Sequence, residues 1–333
     1  MTYFKDILGQ KQVKEHLQTA IKQKNISHAY LFAGEVGSGR RTMADAFARA
    51  LLCESPTEDG DSCGRCKSCM QAGSKNHPDI HYLTHDKFNI RVDEIREQLN
   101  SDIQIKPYSS AYKVYIIPEA HRMNEQAQNA LLKTLEEPPA YAVIILLCDN
   151  ASSLLQTITS RCVTLQMKPV SKDEIAEYLM KKLQMEADRA RLAAGFCQGN
   201  IGQAIRFASS EDFQQIRGQV LKLLKEIDDM PLPAITDEIR NFSKDRTNFY
   251  DYMDLMLLWY RDVLMYKATK DTNILLYHDE YSAIQKQASK RSYEDIEKII
   301  QAFDKVKIRL DANVNFDLAI ELLLLTIKDY NNR

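Results

Sequence analysis

Hydrophobic positions in the first half of this chain follow two alternating periods. Val13, Leu17 and Ile21 recur at helical spacing through residues 10–24, which predicts one buried helix face. His28-Ala29-Tyr30-Leu31-Phe32-Ala33 is then a short apolar run closed by Gly34, and residues 41–52 return to a helical pattern. That order predicts strand, glycine-rich turn, helix. Further strands are predicted at Ile80-His81-Tyr82-Leu83, at Lys113-Val114-Tyr115-Ile116-Ile117, at Ala142-Val143-Ile144-Ile145-Leu146-Leu147 and at Val163-Thr164-Leu165. Helices are predicted between them at 92–99, 125–137 and 152–159, the second stopped by Pro138-Pro139, whose rings cannot continue a helix. Strands that are apolar along their whole length and alternate with helices predict a parallel α/β sheet covered on both faces. Beyond about residue 170 the strand pattern ends. Residues 171–207 carry three short helical patterns, and 210–330 read as longer helices with a break at Pro231 and Pro233.

Composition narrows this picture. A length of 333 residues suits two or three domains at roughly 150 residues each. A hydrophobic content of 44% excludes global disorder. The formal net charge of -2 excludes a protein that coats nucleic acid through bulk positive charge, though not a local basic patch. No basic segment leads into an apolar one at the N-terminus, and the longest apolar run of the C-terminal half is Leu255-Met256-Leu257-Leu258-Trp259-Tyr260, far short of the ~18 residues of a membrane span. A soluble cytoplasmic protein is expected. The seven cysteines are odd in number and clustered, which argues against a disulfide framework.

Candidate chemistry lies in three places. Gly34-Glu35-Val36-Gly37-Ser38-Gly39-Arg40-Arg41 follows a predicted strand and opens a helix, the context of a phosphate-binding loop of pattern G-x-x-x-x-G-K-[ST]. Gly34, Gly37 and Gly39 keep the glycine character, but Arg40 stands where the lysine belongs, Arg41 replaces the Mg²⁺-binding hydroxyl, and Thr42 is one position late, about 100° around the helix. In the second apolar strand, Pro118 occupies the place of a metal-binding aspartate, with Glu119 after it. Both departures weaken the hold on Mg²⁺ and on the terminal phosphate that phosphoryl transfer requires. The residues leave ATP binding open and predict negligible hydrolysis by this chain. Cys53, Cys63, Cys66 and Cys69 form C-x9-C-x2-C-x2-C, which predicts a structural Zn²⁺ site of four thiolates within a module at 53–76. His77 is the substitute ligand if Cys53 is buried elsewhere, and Cys148, Cys162 and Cys197 read as small core residues. Ser160-Arg161-Cys162 lies between a short helix and a strand. An arginine so placed is ordinarily a surface residue, but one that reaches a neighbour's nucleotide site can supply a large rate factor.

Taken together, Ile7-Leu8-Gly9-Gln10, His28-Ala29-Tyr30-Leu31-Phe32, the four-cysteine insertion, His77-Pro78-Asp79, Asn129-Ala130-Leu131-Leu132-Lys133-Thr134-Leu135-Glu136-Glu137-Pro138-Pro139 and Ser160-Arg161-Cys162 resemble the delta-prime subunits of bacterial DNA polymerase III clamp loaders, which are AAA+ relatives. The resemblance covers about residues 1–205 well and is weaker beyond, where Trp259-Tyr260-Arg261-Asp262 and Asn313-Val314-Asn315 also match. It implies an AAA+ P-loop-type domain over 1–167 with a zinc module, a three-helix lid over 168–208 and an all-α collar for oligomerisation over 209–333. It implies partners as well: gamma/tau and delta subunits, with the beta sliding clamp and primer-template DNA met through the complex, as part of the DNA polymerase III holoenzyme. Arg161 matches the arginine that completes the ATP site of an adjacent gamma/tau subunit, which makes it the candidate catalytic residue, acting in trans. Gln203 stands at or near the place of a sensor arginine.

Two other classes compete. An autonomous gamma/tau-like ATPase would keep the loop lysine and hydroxyl and an aspartate at position 118; Arg40, Arg41 and Pro118 depart from that. A zinc-dependent nucleic-acid-binding module would need stacking platforms, yet residues 54–76 hold no aromatic side chain.

Overall fold

The computed structural model describes residues 3–84, 89–209, 212–312 and 314–328. They form two compact units, Met1–Arg206 and Phe207–Arg333.

The first unit is built on five strands, β1 (Ala29–Ala33), β2 (Ile80–Tyr82), β3 (Lys113–Ile117), β4 (Ala142–Cys148) and β5 (Val163–Gln166). They join in the order β2-β3-β4-β1-β5, and every pairing is parallel. Because successive side chains point to opposite faces, the continuous apolar runs supply two cores at once. Tyr30, Phe32, Val143 and Ile145 face Leu17 of α1 (Lys11–Gln23) and Phe47 of α2 (Arg40–Leu51). Leu31, Tyr115, Ile144 and Leu146 face the other way, on the side that holds Leu131 and Leu135. Each fully buried side chain of this size contributes roughly 1.5–3 kcal/mol, so the strands are pinned in register from above and below.

The remaining helices of this unit are α3 (Lys67–Gly73), α4 (Val92–Ile95), α5 (Glu125–Glu136), α6 (Gln156–Thr159), α7 (Lys172–Leu183), α8 (Ala187–Phe196) and the larger part of α9 (Ile201–Ser209), across which the boundary at Arg206 falls. Two expected helices are interrupted. The pattern at 92–99 becomes one α turn followed by a wider π turn over Arg96–Asn100. There the Asn100 side chain is drawn across to α5, donating to the Ala130 carbonyl (3.1 Å) and accepting from Thr134 Oγ1 (3.0 Å). The pattern at 152–159 splits because Asn150 caps a short turn at Ala151–Ser153, and α6 starts afresh after Leu154 turns inward. The cysteine insertion, for which no element was predicted, contains α3.

In the second unit, α10 (Asp212–Glu226), α11 (Leu232–Lys244), α13 (Tyr281–Lys290), α14 (Tyr293–Asp311) and α15 (Phe316–Lys328) accompany α12 (Phe249–Thr269). The apolar run at 255–260 belongs to α12, which is buried on most sides, the condition in which a helix carries no polar face. Among the described residues no helix is long and apolar enough to cross a membrane. The Trp259-Tyr260-Arg261-Asp262 stretch is scaffold: Trp259 Nε1 donates to Gln287 Oε1 (2.9 Å), and the fully buried Asp262 accepts from the backbone N–H groups of Leu276 (2.6 Å) and Tyr277 (2.8 Å) and from Arg261 (2.8 Å).

Candidate functional site

All strands being parallel, the segments that follow β1, β3 and β4 share one edge of the sheet, and the segment that leads into β5 lies at the opposite edge. The phosphate-loop residues and Pro118 are at the first edge. Arg161 is at the second. The cysteine module follows α2.

The four cysteines predicted as ligands converge. Cys53 lies just past the end of α2, Cys66 caps α3, and Cys63 and Cys69 complete a group whose sulfurs all lie within 4.8 Å of one another. The Cys53–Cys66 and Cys63–Cys69 sulfur pairs are each 4.0 Å apart. A tetrahedron with Zn–S bonds of about 2.3 Å has edges of about 3.8 Å, so the set fits a divalent metal with small inward movement. Backbone N–H groups point at these sulfurs: Cys63 N to Cys53 (3.3 Å), Cys66 N to Cys63 (3.4 Å) and Cys69 N to Cys66 (3.4 Å). Hydrogen bonds from the backbone of Arg65 and Cys66 hold the Cys63 thiol at about 6, while burial pushes Cys53 up to about 12. None of the seven cysteines is in a disulfide. His77, the substitute ligand, is committed elsewhere. Its Nδ1 accepts from Asp79 N (3.1 Å), which places the ring proton on Nε2, 3.0 Å from Ser68 Oγ, and Ser68 in turn donates to the Leu52 carbonyl (2.7 Å). Burial lowers the His77 pKa, which favours that neutral ring.

The phosphate-loop residues form the expected turn into α2, with Gly37 and Gly39 at positive φ (88° and 91°). The turn is engaged by the protein itself. The Arg40 guanidinium lies 2.6 Å from Asp149, which follows β4, and His121 Nε2 lies 3.6 Å from the other oxygen of that carboxylate. Arg41 lies over the Tyr82 ring at 5.1 Å, and Thr42 is exposed. From above, the N-terminus of α9 meets the loop. Asn200 donates to the Val36 carbonyl (2.7 Å) while accepting from Gln203 N (3.1 Å), and Gly202 N donates to the Gly37 carbonyl (2.9 Å). A Cβ on Gly202 would lie 2.7 Å from Gly37 Cα, and one on Gly37 would lie 2.3 Å from Asn200 Oδ1, so the two glycines permit the approach. The cleft that remains, lined by Gly34, Ser38, Asp149, Met167, Gly199 and Asn200 among others, has a volume of about 170 Å³, below the roughly 300–1,000 Å³ of ligand pockets. On the β3 side, Pro118 offers no side-chain ligand, and Glu119 is paired with Arg122 at 3.1 Å. Sequence reasoning did not single out Asp149 or Asn200; the position of Asp149 at the carboxyl end of a parallel strand was the available signal.

Arg161 leaves the end of α6 two residues ahead of β5. Its Nη2 lies 2.8 Å from Glu136 Oε1, and its Nη1 donates to the Thr157 carbonyl at 2.9 Å. The side chain is 36% exposed. Since β5 pairs with β1 from Tyr30↔Val163 onward, Arg161 sits level with the start of β1, whereas the phosphate loop follows its end. Five strand residues at about 3.3 Å each put the two edges about 16 Å apart, so this arginine does not serve its own loop.

The model of the family described as "DNA polymerase III, delta subunit" matches residues 9–171, and that described as "DNA polymerase III, delta subunit, C terminal" matches residues 211–329. The DNA polymerase III subunit delta' of Bacillus subtilis (strain 168) is 31% identical over 324 residues, covering 96% of this chain and 96% of the relative. The chain belongs to the delta-prime family of DNA polymerase III subunits. The Pseudomonas aeruginosa delta' subunit is likewise 31% identical, over 318 residues (90% of this chain and 91% of the relative). The tau subunit of Bacillus subtilis is 32% identical over 286 residues, which are 80% of this chain but 50% of tau. A gamma subunit-related protein of Thermotoga maritima shares the fold with a TM-score of 0.53 at 20% identity, covering 96% of this chain and 99% of that one.

Proposed function

We propose that this delta-prime chain is a non-hydrolysing AAA+ subunit of a clamp loader that lends Arg161 to the ATP site of a neighbouring gamma/tau subunit. One observation carries the reading: the phosphate loop and Arg161 occupy opposite edges of the same sheet, the loop tied up by its own protein and the arginine half-exposed. A residue on the far edge can complete only a site on another chain. At the loop, Gly34, Gly37, Gly39, Arg40, Arg41 and Thr42 keep the outline of a nucleotide cradle. Asp149 neutralises the cation that would meet a phosphate, and Pro118 supplies no ligand for Mg²⁺.

The four cysteines hold a structural Zn²⁺. Four protein thiolates leave no open coordination position, so the metal's contribution is to the folding of the 53–76 segment. Residues 168–208 act as a lid whose last helix seals the loop. Residues 209–333 form the collar that assembles with gamma/tau and delta; in support, Leu318 and Leu322 of α15, one turn apart, are 51% and 40% exposed although the helix is otherwise strongly apolar. The beta clamp and primer-template DNA are met through the assembled complex, in the cytoplasm.

The test uses the complete loader assembled with its gamma/tau and delta partners. Arg161→Ala is expected to slow hydrolysis at the adjoining site by about 10³–10⁵-fold, read as a fall in the complex's ATP turnover, while the isolated chain turns over no ATP above background. Unchanged turnover by the R161A complex, or Mg²⁺-dependent hydrolysis by the chain alone, would refute the reading.

A further inference from the structure

Arg161 is held at more than its own backbone. Its short helix α6 begins where Leu155 N donates to the side chain of Gln128 (2.8 Å), a buried residue of α5 that is itself fixed by donating to the Met123 carbonyl (3.0 Å). Eight residues on, at the last position of the same helix, Glu136 takes the guanidinium. Helix α5 therefore braces the arginine-bearing turn at two points ~12 Å apart along its axis. Resting on the reading of Arg161 given above, we infer that Glu136 is a positioning residue: with the Thr157 carbonyl it orients the Arg161 guanidinium for delivery to a phosphate group on the neighbouring subunit.

The geometry favours orientation over blockade. A guanidinium carries five N–H donors in a rigid fork, and Glu136 and Thr157 engage one donor on each of two nitrogens. The rest of the fork remains to meet an incoming anion. The ion pair is partly exposed on both sides, 36% at Arg161 and 51% at Glu136, so it is weak and yields readily to phosphate, which binds arginine in the same forked manner with more charge. A long side chain left free would lose its rotamer freedom only on docking; ordering it beforehand lowers that cost. Glu136 ends α5 because Pro138-Pro139 follow, so the carboxylate stands at a rigid stop.

The experiment measures ATP turnover against ATP concentration in the complete loader, with Glu136→Ala, Glu136→Gln, Arg161→Ala and the double variant, and with Glu137→Ala as a control for net charge. Glu136→Ala is expected to lower kcat by roughly three- to fivefold with KM for ATP changed less than about twofold. Glu136→Gln, which keeps an oxygen acceptor, recovers part of the loss, and Glu137→Ala behaves as the unmodified protein. The double variant is no slower than Arg161→Ala, because both changes act through one group. Thermal melts matching the unmodified chain establish that each variant is folded. A normal or raised kcat for Glu136→Ala, or a loss that adds to that of Arg161→Ala, overturns the inference. If Arg161→Ala itself leaves turnover unchanged, the lent arginine fails and Glu136's role with it; a slow Arg161→Ala beside a normal Glu136→Ala removes only the role of Glu136.

Discussion

The cysteine cluster and the phosphate loop are both ligand cradles in outline, and they differ in whether the protein has already answered its own donors. Around the cysteines, backbone N–H groups reach the sulfurs and the His77 imidazole is used by Asp79 and Ser68, so the four thiols converge on one another. At the loop, the arginine that would meet a phosphate meets Asp149, and the glycine turn that would open onto a nucleotide meets Asn200 and Gly202. Converging thiols leave a metal-sized gap between them, whereas the loop's donors already have partners within the protein.

The contrast can be broken most severely at the metal. Cys66→Ser removes one thiolate while its hydroxyl keeps an acceptor at the N-cap of α3. Since structural Zn²⁺ contributes about 10–16 kcal/mol of apparent binding energy in small zinc modules, the variant should retain far less than one Zn²⁺ per chain by elemental analysis and lose hydrogen-exchange protection across 53–76. Full zinc content in the variant would mean that the four cysteines do not form the site.

A smaller effect is expected where the module rejoins the sheet. Asp79 is fully buried. Burial acts to raise its pKa, but the N–H groups of Tyr108, Ser109 and Ser110 and the Ser109 hydroxyl outweigh it and hold the carboxyl below its usual value. A depressed folded-state pKa stabilises above the unfolded value of about 3.9, and that contribution disappears as pH falls through the folded value. Asp79→Asn should therefore cost about 1.5–3 kcal/mol at neutral pH and flatten the acid limb of stability below about pH 4. Denaturant midpoints measured at several pH values check both; an unchanged acid limb would deny the carboxylate this role.

The mildest perturbation sharpens the loop side. Gly202→Ala places a methyl group against Gly37 Cα at 2.7 Å. The loop tip is open to solvent, with Val36 72% exposed, so part of the strain relaxes and the cost should be roughly 1–2 kcal/mol, in the lower part of the overpacking range. Hydrogen exchange in 34–39 should rise while exchange in the cysteine module stays constant. Equal changes in both would show that the two regions are one cooperative unit.

Much of this was legible from residue order. The apolar runs at 29–33, 113–117 and 142–147 predicted strands buried on both faces, and parallel packing follows from that pattern. The C-x2-C-x2-C spacing predicted the thiolate cluster because three such cysteines in one short segment are close whatever the surrounding fold. The breaks at Arg96–Asn100 and Leu154–Leu155 were hidden, since each is joined by hydrogen bonds to α5, which lies far away in sequence.

Local sequence, then, determined the strands and most of the helices, the clustering of the four cysteines and the missing Lys, hydroxyl and Asp of the phosphate loop, because periodicity and short spacing act within a few residues. Only the tertiary structure decided that Asp149 holds Arg40, that Asn200 closes on Val36, that His77 and Asp79 are braces, and that Glu136 takes Arg161. Those partners come from separate elements, and in a parallel sheet it is the strand order and the shared direction of the strands that bring such ends to one edge or keep them at opposite ones.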